Sequence, residues 1–391
     1  MKILLLCHEY PPAGGGAGWA AHQIGRHLAF AGHAVTLLTG RHALRPGPPT
    51  DLPYRLVEVG GRQRSVSGGS PRAWLDFMVA GTRAALALSD AGRPDVAMAF
   101  LTLPAGAPAA ILQARRGVPF VATLHGGDVP GFYPPEYRRY HLATGWALRA
   151  IWRRAAGMVT PTAGLRALAL QAGALDAAVI PHGVDLETFR PSPAGPPPGP
   201  LTVLSVGRFA RQKNYAGLLR AAAEAARKVS RPFRLELVGD GPERDALRSL
   251  AETLGVADRV TFLPWQAREA LVARYHAAHV FALASYQEPF GLVVLEAMAC
   301  GLPIVATRTS GPEELVGDGE NGLLVPPGDD DALAAALAGL LEGDQLRARM
   351  GARSLERARC YGWAAIVPAY ADLLSRVAGG VPLGKGGRPA R

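Results

Sequence analysis

VFALASYQEPFGLVVLEAMACGLPIVA, residues 280–306, is the stretch on which the fold turns. Val280–Ala284 is an unbroken apolar run of strand length, as expected of a strand buried on both faces of a helix-covered parallel sheet. A polar loop follows and ends in Glu288. Pro289 then stands where the first turn of a helix tolerates a missing N–H, and Gly301 where a helix stops. Pro303–Ala306 opens the next strand. Strand, helix and strand in succession make a parallel crossover unit. The spacing predicts a helix from Pro289 toward Gly301, leaving the N–H groups of Phe290, Gly291 and Leu292 free at its positive end, a place suited to a pyrophosphate.

The same alternation extends outward in both directions. Upstream, strands are predicted at Ile3–Cys7, Ala34–Thr39, Val96–Phe100, Phe120–Leu124, Gly157–Thr160 and Ala178–Ile180, with helices over 17–31, 72–91, 105–116, 138–155 and 163–172. A second series of strands falls at Thr202–Val206, Arg234–Val238 and Val260–Leu263, before the two already named. Between the series lies FRPSPAGPPPGP, residues 189–200, too rich in proline and glycine for a helix or a central strand. The expectation is an α/β protein of two Rossmann-like domains, 1–182 and 201–360, joined by a linker at 183–200. A helix at about 361–377 packs back on the first domain, and a disordered tail occupies 379–391.

Composition agrees with this organisation. A chain of 391 residues exceeds what one core usually organises. Its 49% hydrophobic and 19% charged content is that of a globular protein. Cys7, Cys300 and Cys360 are far apart and odd in number, which fits a reducing cytosol better than a disulfide framework. The apolar N-terminal run is too short for a signal peptide, and no stretch reaches the roughly 18 apolar residues of a membrane span. These features point to a cytoplasmic protein, free in solution or held at the inner face of a membrane. The net charge of +10 comes almost wholly from arginine and reflects either a binding surface or coding bias.

Glu288 lies just outside the expected helix end, and Glu296 stands seven residues after Pro289, on the same face and about 10 Å along the axis. Two such carboxylates can bracket a nucleotide sugar, Glu288 on hexose hydroxyls and Glu296 on ribose hydroxyls. A loop glutamate and a solvated helix glutamate would give the same spacing. Arg208 follows a strand and Lys213 stands five residues on, where a short turn can aim both at one phosphate pair or leave both as surface cations. Gly14–Gly18 resembles a dinucleotide loop, but the strand that should end in a ribose-binding acid, Val35–Gly40, has none. His125 sits at the carboxyl end of Phe120–Leu124, a position open to a ligand role as well as a structural one. Arg138, Arg139, Arg149, Arg153 and Arg154, with Tyr137, Tyr140, Trp146 and Trp152, make a basic aromatic helix without an acid between 138 and 154. It suits an anionic membrane or a lipid-linked acceptor, or else aromatics turned inward beneath solvated arginines. Trp265 either stacks near a base or is core.

EPFGLVVLEAMACGLPIVAT (288–307) resembles the donor-binding signature of the retaining glycosyltransferases of family 4, the GT-B-fold group also called glycosyl transferases group 1. CHEYPPAGGGAG (7–18), LHGGD (124–128), IPHGVD (180–185), VGRFARQKN (206–214), LVGDGP (237–242) and GENGLLVPPGD (319–329) resemble its other segments in order, so the likeness covers nearly the whole chain. The resemblance implies two domains facing across a cleft and a retaining transfer of sugar from a nucleotide-diphosphate donor, with no cofactor and no metal site. It implies Arg208, Lys213, Glu288, Phe290, Gly291, Leu292 and Glu296 as donor-binding residues, and Gly15 and Gly16 for close backbone approach beside the reacting sugar. His125 joins Glu288 at the reaction centre, orienting the sugar rather than acting as nucleophile. Asp128 either contacts the same region or caps the next turn. His182 departs from the family's usual asparagine, which puts junction packing at issue rather than chemistry. Expected partners are the donor and a glycan, lipid-linked or small-molecule acceptor, with contact to an anionic membrane and without nucleic acid. The acceptor-side loops 60–71 and 129–141 carry no motif. Rival readings are a sugar-phosphate synthase, an NDP-sugar epimerase and a non-catalytic nucleotide or nucleic-acid binder.

Overall fold

The computed structural model describes residues 1–11, 15–43, 51–63 and 70–381. Parts of the first glycine loop (12–14), of the 60–71 loop (64–69) and of the expected tail (382–391) lie outside the described residues. Contacts divide the chain into two units, Met1–His182 together with Trp363 onward, and Gly183–Gly362.

In unit 1, β1 (Lys2–Leu6), β2 (Ala34–His42), β3 (Arg55–Gln63), β4 (Val96–Phe100), β5 (Phe120–Thr123), β6 (Gly157–Thr160) and β7 (Ala178–Val179) form one sheet in the order β3-β2-β1-β4-β5-β6-β7. Every neighbouring pair is parallel. Strands β4 and β5 are buried at every residue, which is why their sequences, VAMAF and FVAT, show no polar alternation. Strand β3, RLVEVGGRQ, was not anticipated; its charges and glycines suit an edge strand with a solvated side. Helices α1 (Gly16–Phe30), α2 (Pro71–Gly92), α3 (Gly106–Arg116), α4 (Pro134–Arg154) and α5 (Ala163–Gln171) supply the crossovers. Helix α4 starts four residues before the expected 138, because Pro134 and Pro135 are tolerated in a first turn.

In unit 2, β8 (Leu201–Val206), β9 (Phe233–Val238), β10 (Val260–Leu263), β11 (Val280–Leu283), β12 (Ile304–Thr307) and β13 (Gly322–Val325) form a parallel sheet in the order β10-β9-β8-β11-β12-β13. Helices α6 (Tyr215–Lys228), α7 (Arg244–Thr253), α8 (Arg268–Ala277), α9 (Leu292–Ala299), α10 (Ser310–Leu315), α11 (Asp330–Glu342) and α12 (Asp344–Arg359) cover it. Alternate strand residues enter separate cores: Val203, Leu235, Val280 and Ala282 join α6 and α11, while Leu204, Val238, Phe281 and Leu283 join α9. Strand β13 lies within GENGLLVPPGD and was not anticipated as a strand. Asn321, fully buried, shapes the turn before it by accepting the Gly317 N–H at 2.7 Å.

The expected linker, 183–200, is not uniform. Val184 and Phe189 are buried in the core of unit 2, and the Val184 N–H donates to the Tyr361 carbonyl at 2.8 Å. The last helix, α13 (Trp363–Ala378), belongs to unit 1, where Trp363, Tyr370 and Leu374 pack with β1 and α1 residues and the Tyr370 hydroxyl donates to the Ile180 carbonyl.

Candidate active site

Each sheet begins in its middle. The chain lays down β1, β2 and β3 to one side and then returns to place β4 on the other; β8, β9, β10 and β11 repeat this. Loops leaving the carboxyl ends of the two strands astride the reversal diverge in opposite directions, and ligands of open α/β sheets lodge there. In unit 2 these are the loops after β8 and β11, which hold Arg208, Lys213 and Glu288.

The two loops are laced together. The Tyr286 N–H donates to the Gln212 carbonyl at 2.8 Å, and the Gln212 side-chain amide donates to the Gln287 carbonyl at 2.8 Å. A short 3-10 turn, Arg211–Lys213, then carries the Lys213 ammonium to 2.5 Å from the Glu288 carboxylate. Asn214 ends that turn in the left-handed region, at φ 49°, and its side chain caps α6 through the Gly217 N–H. The Arg208 side chain is exposed on the same loop and has no hydrogen bond or ion pair among the described residues. The LVGDGP turn braces the loop from beneath: the Phe209 N–H donates to the Asp240 carbonyl and the Glu243 N–H to the Phe209 carbonyl.

Helix α9 begins at Leu292, not at Pro289. Gly291, at φ 92°, holds the left-handed conformation that a residue with a side chain adopts only at a cost, and this breaks the helix on its amino-terminal side. Phe290 and Gly291 therefore lie in the turn, with the Phe290 side chain buried in the core. The uncapped first-turn N–H groups are those of Leu292 and Val293. Residues 288–290 are held against α10, whose Gly311 N–H donates to the Glu288 carbonyl at 3.0 Å. A Cβ on Gly311 would stand 2.0 Å from the Phe290 carbonyl oxygen.

Glu296 is buried rather than solvated. The Tyr275 hydroxyl donates to its carboxylate at 2.9 Å, and Arg268 lies 3.4 Å away. Burial raises its pKa, opposed by the Arg268 charge and the Tyr275 hydrogen bond. Arg268 itself stacks over the Phe189 ring at 4.5 Å. Neither Arg268 nor Tyr275 was singled out from the sequence, since each stands on a helix without a motif. Trp265 is 44% exposed, which rules out its reading as core.

In unit 1 the corresponding strand ends bring Glu9, Thr102 and His125 to the same edge of the sheet. Asp128 is buried and acts as a turn former: one oxygen accepts the His125 N–H, the other the N–H and hydroxyl of Thr102. The His125 ring meets the Thr123 hydroxyl at 2.8 Å and stacks on the His182 ring, with centroids 5.2 Å apart and planes 8° from parallel. Burial lowers the His125 pKa, against the attraction of Asp128 and Glu9, and lowers that of His182 further below its ordinary value. His182 thus backs His125 directly. Gly15 caps α1 and Gly16 opens it, but the Gly15 N–H is taken by the Glu9 carboxylate at 2.8 Å. Despite burial, the His8 ring, 3.5 Å from the carboxylate, and the Gly15 N–H bring the Glu9 pKa down to about 2. Its sequence signal was its place directly after the first strand.

The comparisons with known proteins agree with this architecture. Residues 14–188 match the model of Glycosyltransferase Family 4, and residues 188–357 that of Glycosyl transferases group 1. A D-inositol 3-phosphate glycosyltransferase of Nocardiopsis dassonvillei is 36% identical over 299 residues, 68% of this chain and 67% of that protein. The chain belongs to the family 4 glycosyltransferases, with the GT-B fold. A sucrose-phosphate synthase from Thermosynechococcus elongatus superposes with a TM-score of 0.83 at 26% identity, over 97% of this chain and 100% of that one. HepE of Anabaena, solved in complex with UDP and glucose, gives 0.75 at 24% identity, over 96% and 99%. The chain spans about half the length of the first curated relatives it matches.

Proposed function

We propose that the chain transfers a sugar from a nucleotide-diphosphate donor to a hydroxyl acceptor on a lipid-linked, polysaccharide or other envelope glycan, with retention at the anomeric carbon and without a metal ion. The observation that carries this reading is the Lys213–Glu288 pair, 2.5 Å apart on two laced switch-point loops beside the uncapped start of α9. A carboxylate beside a cation suits a ligand with hydroxyls at one end and phosphates at the other. Glu288 would accept from the hexose hydroxyls, Lys213 and Arg208 would face the diphosphate, and Glu296 would take the ribose hydroxyls. The bond from the anomeric carbon to the diphosphate oxygen breaks and a bond to the acceptor oxygen forms. The acceptor proton passes to the departing diphosphate, whose growing charge the two cations and the first-turn N–H groups offset. His125, held neutral by burial, would orient the sugar.

The reading is tested by incubating the chain with UDP-, GDP-, ADP- and CDP-sugars and measuring diphosphate release with chelator present. Glu288→Gln should lower transfer by about 100-fold or more. A Glu288→Gln protein as active as the parent with every donor, or one that releases diphosphate only when a divalent cation is supplied, would refute the assignment.

A second reading, transfer to a soluble phosphorylated sugar or polyol, is favoured by the relatives' names. Against it stands Glu9, whose carboxylate already fills the amino-terminal end of α1 with negative charge and favours an uncharged acceptor there. Parallel assays with phosphorylated and unphosphorylated acceptors separate the two.

A further inference from the structure

Helix α4 carries the basic aromatic segment, and the structure divides its aromatic residues. Trp152 is buried, its indole N–H donating to the Thr102 hydroxyl at 2.8 Å, and Tyr137 and Tyr140 are half-buried. Trp146 turns outward at 74% exposure and Leu142, one turn earlier, at 75%. The Trp146 indole N–H is satisfied by the Ala143 carbonyl of its own helix at 3.1 Å, so the outward ring asks nothing of water.

At 3.6 residues per turn, Arg138, Arg139, Arg149 and Arg153 fall on the same stripe as Leu142 and Trp146, two arginines before the apolar pair and two after it. All four are exposed. The side chains of Arg138, Arg139 and Arg153 have no ion pair or hydrogen bond among the described residues, and from 138 to 154 the helix has no acid. Arg149 lies along the Gly173 turn, donating to the Ala172 carbonyl at 2.9 Å, and that turn presents Leu175 at 79% exposure.

We infer that this face of unit 1, with Leu142 and Trp146 at its centre and Leu175 beside it, docks on an anionic lipid surface. Charge complementarity selects the partner, because unpaired guanidinium groups fit lipid phosphates and the apolar tips between them fit the acyl boundary. Nucleic acid would use the arginines and leave Leu142, Trp146 and Leu175 in water. The inference stands apart from the donor-site reading, since no residue of unit 2 enters it. Under that reading, it places the enzyme where a lipid-linked acceptor resides.

The test is co-sedimentation of the full chain with vesicles of phosphatidylcholine alone and of phosphatidylcholine with phosphatidylglycerol, alongside emission from the Trp146 indole. Binding only to the anionic vesicles, with a blue shift that Trp146→Ser removes, is expected. Leu142→Ser should weaken partitioning, and Arg153→Gln should lower it about fivefold. Both variants should keep the parent's melting temperature and its affinity for nucleotide diphosphate, which separates failure here from failure of the donor site. Equal sedimentation with both vesicle types, or binding that Trp146→Ser leaves unchanged, would overturn the proposal. So would retention of a duplex oligonucleotide by a protein that ignores the anionic vesicles.

Discussion

Glu296 shows what a spacing rule can and cannot convey. Its position on the helix face was legible from the sequence, but the Tyr275 hydroxyl and Arg268 that hold it were not, because they reach it through tertiary packing. Arg268 opposes the burial that would otherwise favour the neutral acid, so Arg268→Met should favour its protonation further and weaken donor binding. The loss, on the order of tenfold in Kd at neutral pH, should grow as pH falls in a calorimetric titration with nucleotide diphosphate. A uniform loss at every pH would mean that Arg268 acts only by packing. A second pH effect belongs to His125 and His182. Both have folded pKa values below the ordinary 6.5, so the unfolded chain binds more protons than the folded one as pH falls. Their contribution to unit 1 is intact above about pH 6.5 and declines below it. His182→Asn should flatten that decline in urea melts between pH 7 and 5.

Among the elements, crossover strands and helices were readable because continuous apolar runs and alanine-rich stretches mark them. Strands β3 and β13 escaped notice: both are edge strands, β3 with a mixed composition that carries no periodic signal and β13 only four residues long, GLLV, between turns. The start of α9 was misplaced by three residues because Pro289 is a good opener and nothing local announces that Gly291 turns left-handed. Gly311 matters for a related reason. Its absent Cβ lets α10 accept the backbone of 288–290 at hydrogen-bond distance. Gly311→Ala should displace that turn and lower melting temperature and donor affinity together, by about 1–3 kcal/mol of stability from overpacking. Unchanged affinity in a destabilised protein would show that the turn's position is not what the donor reads.

For the molecule as a whole, the family likeness was legible from ordered segments, and with it came the expectation of a last helix at about 361–377 returning to the first domain; α13, Trp363–Ala378, belongs to unit 1. Seven buried residues of α13, Trp363, Ile366, Val367, Tyr370, Leu373, Leu374 and Val377, complete the unit 1 core. At roughly 1.5–3 kcal/mol for each large side chain, their loss rivals the entire net stability of a domain, about 5–15 kcal/mol. Truncation after Gly362 should therefore leave unit 2 folded and unit 1 open to protease. A stable, protected fragment 1–182 would contradict this.

That arrangement bears on how the chain is born. A ribosome delivers the seven strands of unit 1 first, then all of unit 2, and only afterwards the helix that seals the earlier sheet. The first unit must wait, unsealed, while the second emerges and folds ahead of it. Premature termination anywhere in unit 2 would accordingly release a polypeptide with an uncovered apolar sheet face, a natural substrate for chaperones and proteases.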